Sequence, residues 1–334
     1  MLNSLKAFAA VLSLAMWVAP APVWASYLEN ESARKFTDKM VTEHGFDRAW
    51  VEQLLAQAER KQSILDAISR PAERTLEWKG YRKIFIQESR IEQGVEFWRT
   101  HRKTLERAEK QYGVPANIIV AIIGVETRYG RHMGSYRVLD SLATLGFDYP
   151  KRGKFFSRQL EEYLLMTREQ GLDPLELTGS YAGAMGFGQF IPSSYRSFAV
   201  DFDGDGVADI INNPVDAIGS VANYFNKHKW RTGELVALTA AVTDNHDKSV
   251  FEAGLKPKWT VSELAGKGVT AYSKLDGNAD ASAMLLVGDE GEEYWLGLHN
   301  FYVITRYNHS AMYAMAAYQL SQMIAARVGA ETAK

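Results

Sequence analysis

The chain has 334 residues, 46% hydrophobic and 23% charged, an ordinary globular balance with length enough for more than one core. A formal net charge of −2 gives no sign of a nucleic-acid binder. The lack of any cysteine excludes disulfides, thiol catalysis, Cys-based zinc sites and lipid attachment through an N-terminal cysteine.

In chain order, MLNSLKAFAAVLSLAMWVAPAPVWAS reads as a secretory signal peptide over residues 1–25. Lys6 supplies the charge, an apolar segment follows, and Val23-Trp24-Ala25 has the small-residue spacing of a cleavage site before Ser26. An N-terminal membrane anchor is the alternative, but the segment is short and Pro20 and Pro22 break it. Removing it takes away Lys6 alone, from 38 basic residues to 37 against 40 acidic, a net charge of −3. With no other long apolar run, the mature chain is expected to have no stable membrane span.

Residues 27–79 read as amphipathic helices, ESARKFTDKMVTEHGF and then AWVEQLLAQAERKQSILDAIS, with Pro71 as the stop. Helices continue over 81–112 and close on Gly113, and Val114-Pro115 opens an apolar helix over 116–127. FFSRQLEEYLLMTREQG is a further helix ending at Gly171. A segment punctuated by glycines 179, 183, 186 and 188 follows, then an acidic loop and the helix PVDAIGSVANYFNKHKW. From about Thr232 to Leu298 Val, Thr, Gly and turn pairs dominate, and LLVGDEGEEYWLGL predicts a hairpin. HSAMYAMAAYQLSQMIAARVG returns to helix.

The acidic loop, DFDGDGVADIIN, places Asp201, Asp203 and Asp205 at positions 1, 3 and 5 of an EF-hand calcium loop. Gly206 falls at the sharp turn, Val207 would offer its carbonyl, and Asp209 sits at position 9. Position 12 departs from the pattern, because Asn212 replaces the bidentate glutamate and Asp216 is the nearest carboxylate able to close the shell. A solvated acidic turn is the plainer reading; the spacing favours a structural Ca2+.

Glu126 ends the apolar run and shares a helical face with Ile119, Ile122 and Ile123. A carboxyl against such a surface tends to be desolvated, which raises its pKa and suits a general acid. A structural ion pair with Arg128 or Arg131 fits the spacing equally well. Ser180, Gln189 and Phe190 lie in the glycine-rich turn, which either brings backbone close to a ligand or simply packs. Tyr307, Asn308 and Tyr313 cluster near a helix start, where Asn308 alone reads better as a cap. No HExxH, Walker, dinucleotide or GxSxG motif occurs, and no organic cofactor is expected.

VPANIIVAIIGVETRYGR, GSYAGAMGFGQFIPSSY, VDFDGDGVADIINNPVDAIGSVANYF and RYNHSAMYAMAAYQL, in this order, resemble the lytic murein transglycosylase B family, glycoside hydrolase family 103, from about Tyr81 onward. The resemblance implies a mainly α (α+β) fold: a lysozyme-like catalytic core, a further helical domain, a small β domain and an EF-hand-like calcium loop. It divides the chain into a helical domain over 26–80 and 131–178, a core over 81–130, 179–230 and 297–334 with the calcium loop at 201–216, and a β-rich domain over 231–296. It implies cleavage of the MurNAc-β-1,4-GlcNAc bond of peptidoglycan with a 1,6-anhydromuramoyl product. By position it makes Glu126 catalytic and Tyr81, Ser180, Gln189, Phe190, Tyr307, Asn308 and Tyr313 substrate-binding.

Most glycosidases pair two carboxylates, whereas the resemblance offers Glu126 alone, which fits a substrate that supplies its own nucleophile. The implied setting is the periplasm, with glycan strands as partner, other cell-wall enzymes as potential protein partners, and no lipid anchor. The chain ends soon after its last helix, so no appended wall-binding module is expected. A hydrolytic muramidase and a non-catalytic calcium-dependent wall-binding protein are the alternatives.

Overall fold

The computed structural model describes residues 27–69 and 76–332. The signal-peptide reading and the stop at Pro71 lie outside them.

The described residues open with a 3-10 turn over Tyr27–Glu29 and three helices, α1 (Glu31–His44), α2 (Arg48–Ala56) and α3 (Gln62–Ser69). Asn30 caps α1 by accepting from the amides of Ser32 and Ala33, and Gly45 ends it at φ 65°. The sequence predicts one helix through α2 and α3, but the structure breaks it between Gln57 and Lys61. The Glu59 amide is captured by the Asp140 carboxylate at 2.8 Å and the Lys61 amide by the Thr144 hydroxyl at 3.1 Å. Tertiary hydrogen bonds here replace two helical ones.

Next come α4 (Trp78–Phe85), α5 (Glu88–Thr100), α6 (Arg102–Tyr112) and α7 (Ala116–Thr127). Helix α7 is apolar all round, which marks a helix enclosed on every side. Of its residues only Asn117 and Glu126 escape full burial. Helices α5, α6, α11 and α14 surround it, the last two defined below. Each fully buried isoleucine contributes about 1.5–3 kcal/mol, so α7 is an anchor of the core.

A two-residue strand β1 (Tyr136–Arg137) leads into α8 (Val138–Asp148) and α9 (Gly153–Gln170), and β2 (Thr178–Gly179) pairs antiparallel with β1. Helix α8 was not legible because Asp140, Ser141 and Thr144 interrupt its apolar pattern. All three are buried. Asp140 and Thr144 hold the α2–α3 break, and Ser141 donates to the Ser180 carbonyl at 3.3 Å. Helices α8 and α9 pack together, α3 lies on α8, and α1 lies on α9.

Helices α10 (Pro192–Phe198) and α11 (Pro214–Lys227) flank the acidic loop. Then follow β3 (Ala237–Val242), β4 (Trp259–Thr260), α12 (Val261–Gly266), β5 (Val269–Ala271), β6 (Asp280–Gly288), β7 (Gly291–Gly297), α13 (His299–Thr305) and α14 (Ala311–Thr332). The five strands form one antiparallel sheet, ordered β4-β6-β7-β3-β5. The predicted hairpin is β6–β7, in register from Ser282↔Gly297 to Gly288↔Gly291. Alternation along β6 puts Ala281 and Ala283 in a small separate core and Met284 and Leu286 against the main one. Trp78 donates to Glu293 and Lys83 pairs with Asp289, so α4 is tied to the hairpin.

Candidate active site

The site grows from the C-terminal end of α7. Arg128, Tyr129 and Gly130 follow with φ of 51°, 61° and 84°, three successive left-handed residues of which two are not glycine. The surroundings fix this path. The Thr127 hydroxyl donates to the Phe187 carbonyl at 2.9 Å and accepts from the Gly130 amide at 3.0 Å. The Tyr129 hydroxyl donates to the Arg90 carbonyl, and the Arg90 guanidinium donates to the Gly124 carbonyl at 2.6 Å. A methyl at Gly130 would lie 2.3 Å from the Phe187 ring, so this turn tolerates glycine alone.

Glu126 is therefore half-buried on a fixed helix end. Its neighbouring cations are engaged elsewhere: Arg128 binds Gln93 at 2.7 Å and Ser89 at 3.0 Å, and Arg131 approaches Glu96 at 3.9 Å. Both arginines thus have partners other than the one in the ion pair that the spacing allowed. The Tyr313 hydroxyl donates to Glu126 Oε1 at 2.5 Å. Tyr313 is in the first turn of α14, capped by Ser310, whose hydroxyl accepts from the Tyr313 amide at 3.2 Å. Ser310, not Asn308, is thus the cap; the Asn308 carbonyl accepts from the Ser310 amide in the connecting turn.

Tyr307 belongs to the same wall. Its hydroxyl donates to the Gly188 carbonyl at 2.6 Å, and its ring packs on Tyr224 and Phe225. Burial raises the Tyr313 and Tyr307 phenols well above the ordinary value, and the negative charge of Glu126 adds to this in both. Both stay protonated and act as hydrogen-bond donors throughout the neutral range. Tyr81, buried in α4, is near enough to act electrostatically on Tyr313. Phe190 is 2% exposed and packs on Tyr224 and Tyr307. Its burial matches that of Tyr313 at 3% and Tyr81 at 4%, so it belongs to the same packed wall.

The glycine-rich segment is a turn locked by its own backbone. Ser180 Oγ accepts from the amides of Ala182 and Ala184, leaving its proton to donate outward. Gly186, at φ 70°, brings the chain against the Ile210 carbonyl, where a methyl would sit 2.3 Å away. Gln189 has φ 49°, and its amide nitrogen donates to the carbonyls of Met133 and Gly186. Its Oε1 takes no hydrogen bond among the described residues and is left to accept one from a ligand.

In the acidic loop the carboxylate oxygens of Asp201, Asp203 and Asp205 lie within 4.8 Å of one another on the surface. Asp201 accepts from the amides of Gly204, Asp205 and Gly206, and these, Gly206 foremost, hold its carboxyl below the usual range. Three carboxylate oxygens at this spacing fit a hard divalent cation. The Asp209 and Asp216 carboxylates do not join the cluster. Asp209 Oδ1 accepts from the amides of Ile211 and Asn212. Asp216 is wholly buried and accepts from the amides of Phe202, Asp203 and Asp209. Asp216, expected to close the shell, thus also ties the loop together through these three amides. Val207 is half-buried next to the cluster.

Sequence reasoning missed Thr127, the pin between α7 and the glycine-rich turn. A threonine after a glutamate carries no motif; only the contact with Phe187 reveals it. Thr127→Val keeps the shape but strands the Gly130 amide, at a cost of about 1–3 kcal/mol. A lower melting temperature and roughly tenfold lower turnover are expected if the pin positions Glu126. Unchanged turnover in a destabilised variant would reduce Thr127 to a structural role.

One carboxyl backed by a phenol, on a helix end tied through Thr127 to a turn that offers a hydroxyl and a carbonyl acceptor, suits proton transfer to and from a bound neutral oxygen. Likeness to known proteins extends this. Residues 29–322 match the family described as Transglycosylase SLT domain. The chain is 49% identical, over 90% of its length and 84% of the relative's, to membrane-bound lytic murein transglycosylase B of Escherichia coli strain K12. It superposes with a TM-score of 0.86 and 56% identity on the soluble lytic transglycosylase SltB1 of Pseudomonas aeruginosa, covering 89% of this chain and 99% of that one. It superposes with a TM-score of 0.83 and 48% identity on E. coli lytic transglycosylase Slt35 in complex with calcium, covering 90% and 95%.

Proposed function

The chain belongs to the transglycosylase SLT-domain family of lytic transglycosylases, and from that premise we propose that Glu126 is its acid–base catalyst. The enzyme is a lyase acting on peptidoglycan: it cleaves the MurNAc-β-1,4-GlcNAc bond and leaves a 1,6-anhydromuramoyl end. The observation that supports Glu126 is the Tyr313 hydrogen bond to its carboxyl, with Arg128 and Arg131 engaged elsewhere.

Glu126 first protonates the glycosidic oxygen, and the bond to muramic acid C1 breaks with oxocarbenium character, assisted by the N-acetyl group. The C6 hydroxyl then attacks C1, and the Glu126 carboxylate takes its proton. The acid is regenerated and no water is consumed. Ser180, Gln189 and Asn308 orient hydroxyl and acetamido groups. Tyr81, Tyr307 and Tyr313 line the cleft, with Phe190 stiffening it. Replacing Glu126 and analysing the products of purified peptidoglycan tests this role.

We place a structural Ca2+ on Asp201, Asp203, Asp205 and the Val207 carbonyl, with Asp209 and Asp216 shaping the loop. A ligand present at a hundred times its Kd adds about 2.7 kcal/mol of stability. Calcium is expected to raise the melting temperature, chelation to lower it, and Asp203→Asn to shrink the difference. Equal melting with and without calcium would refute the site.

The proposed setting is the periplasm, reached by the signal peptide over 1–25, for wall remodelling or turnover. No helix of the described residues is long and apolar enough to cross a membrane. The helical, lysozyme-like and β-rich divisions are proposed with the boundaries given above.

A further inference from the structure

On the helical part of the molecule, Trp50 in α2 is 38% exposed, although Phe46 stacks on it at 5.5 Å. It lines two adjoining hollows, of about 290 and 240 Å³. Pro174, itself buried, borders both, so the two hollows adjoin at Trp50 and Pro174 as one groove. Trp50 Nε1 and the Gln53 side-chain amide have no protein partner among the described residues. Asp173 spends only Oδ1, on the Leu175 amide. The groove therefore presents an indole edge with a free N–H, a carboxamide able to donate and accept, and a free carboxylate oxygen. This suits a ligand with an apolar ring face and a rim of hydroxyl and acetamido groups. Asp47 and Arg168 line one hollow and Asp173 the other, so the groove carries charges of both signs.

The groove is joined to the catalytic cleft by the β1–β2 ribbon. The carbonyl of Gln57, at the groove's end, accepts from Arg137 at 2.5 Å. Arg137 pairs with Thr178, and Gly179 and Ser180 follow directly. From Leu175 in the groove to Ser180 the backbone spans at most about 18 Å. Thr178, between the two in the chain, is exposed.

We propose that the Trp50 groove is an accessory glycan-binding site, which holds the β-linked N-acetylhexosamine strand of the substrate beyond the cleft. It rests on the catalytic reading above and concerns polymer capture, separate from bond cleavage. The test compares intact sacculi with a soluble N-acetylglucosamine–N-acetylmuramic acid tetrasaccharide, using full-length Trp50→Ala and Gln53→Ala. Sacculus turnover, and sacculus co-sedimentation in a Glu126→Gln background, are expected to fall roughly fivefold or more. Tetrasaccharide turnover is expected to stay within about twofold of the parent. Unchanged sacculus binding, or equal loss on both substrates, would overturn the proposal. Should Trp50→Ala fail to fold, Gln53→Ala, at an exposed position, decides alone. A parent enzyme that forms no anhydro product from the tetrasaccharide would instead defeat the catalytic reading.

Discussion

Glu126→Gln will leave a folded, glycan-binding protein whose formation of anhydro ends from peptidoglycan falls by about 10²–10⁴-fold or more, the worth of a general acid–base group. The upper end is expected because one carboxyl serves both halves of the reaction: the amide neither protonates the leaving oxygen nor accepts the C6 proton. Glutamine is close in shape and still accepts from Tyr313, so α7 and the tyrosine wall stay in place. Product quantification beside circular dichroism reads this directly. Residual anhydro product near the parent level would transfer the acid–base role to another group.

Tyr313→Phe is expected to have the second-largest effect. The phenol makes a charge-assisted hydrogen bond, worth about 1.5–3 kcal/mol, so turnover should fall roughly ten- to a hundredfold. Loss confined to kcat would mean that Tyr313 fixes the orientation of Glu126. Loss confined to KM would make it chiefly a sugar contact. Because Tyr313 is 3% exposed in the core, a thermal melt must accompany the kinetics. A kinetic loss no larger than the melting loss explains would refute the positioning role.

How far the site was legible varied by residue. Glu126 stood out because eleven neighbours on α7 are almost all apolar, and a charge in such a run needs a reason. The three aspartates were legible because alternate residues of a turn converge by local geometry alone. Asp216 was not: its carboxylate reaches Phe202, fourteen residues earlier in the chain, and only the fold makes that contact. Phe190 followed a motif into the site, but its packing on Tyr224 and Tyr307 was not legible, since sequence order does not reveal side-chain direction in a turn of left-handed residues. Helix α8 and the break before α3 were hidden for one shared reason. Asp140 and Thr144 look like surface residues until their partners, the Glu59 and Lys61 amides, are seen.

The measurement closest to the central claim is digestion of purified peptidoglycan in heavy-oxygen water, with the products read by mass spectrometry. If the Glu126 carboxylate regains its proton from the attacking C6 hydroxyl, the muramic ends are 1,6-anhydro and carry no label. Labelled reducing ends would show that water attacks C1, and would contradict the account of a single carboxyl acting first as acid and then as base.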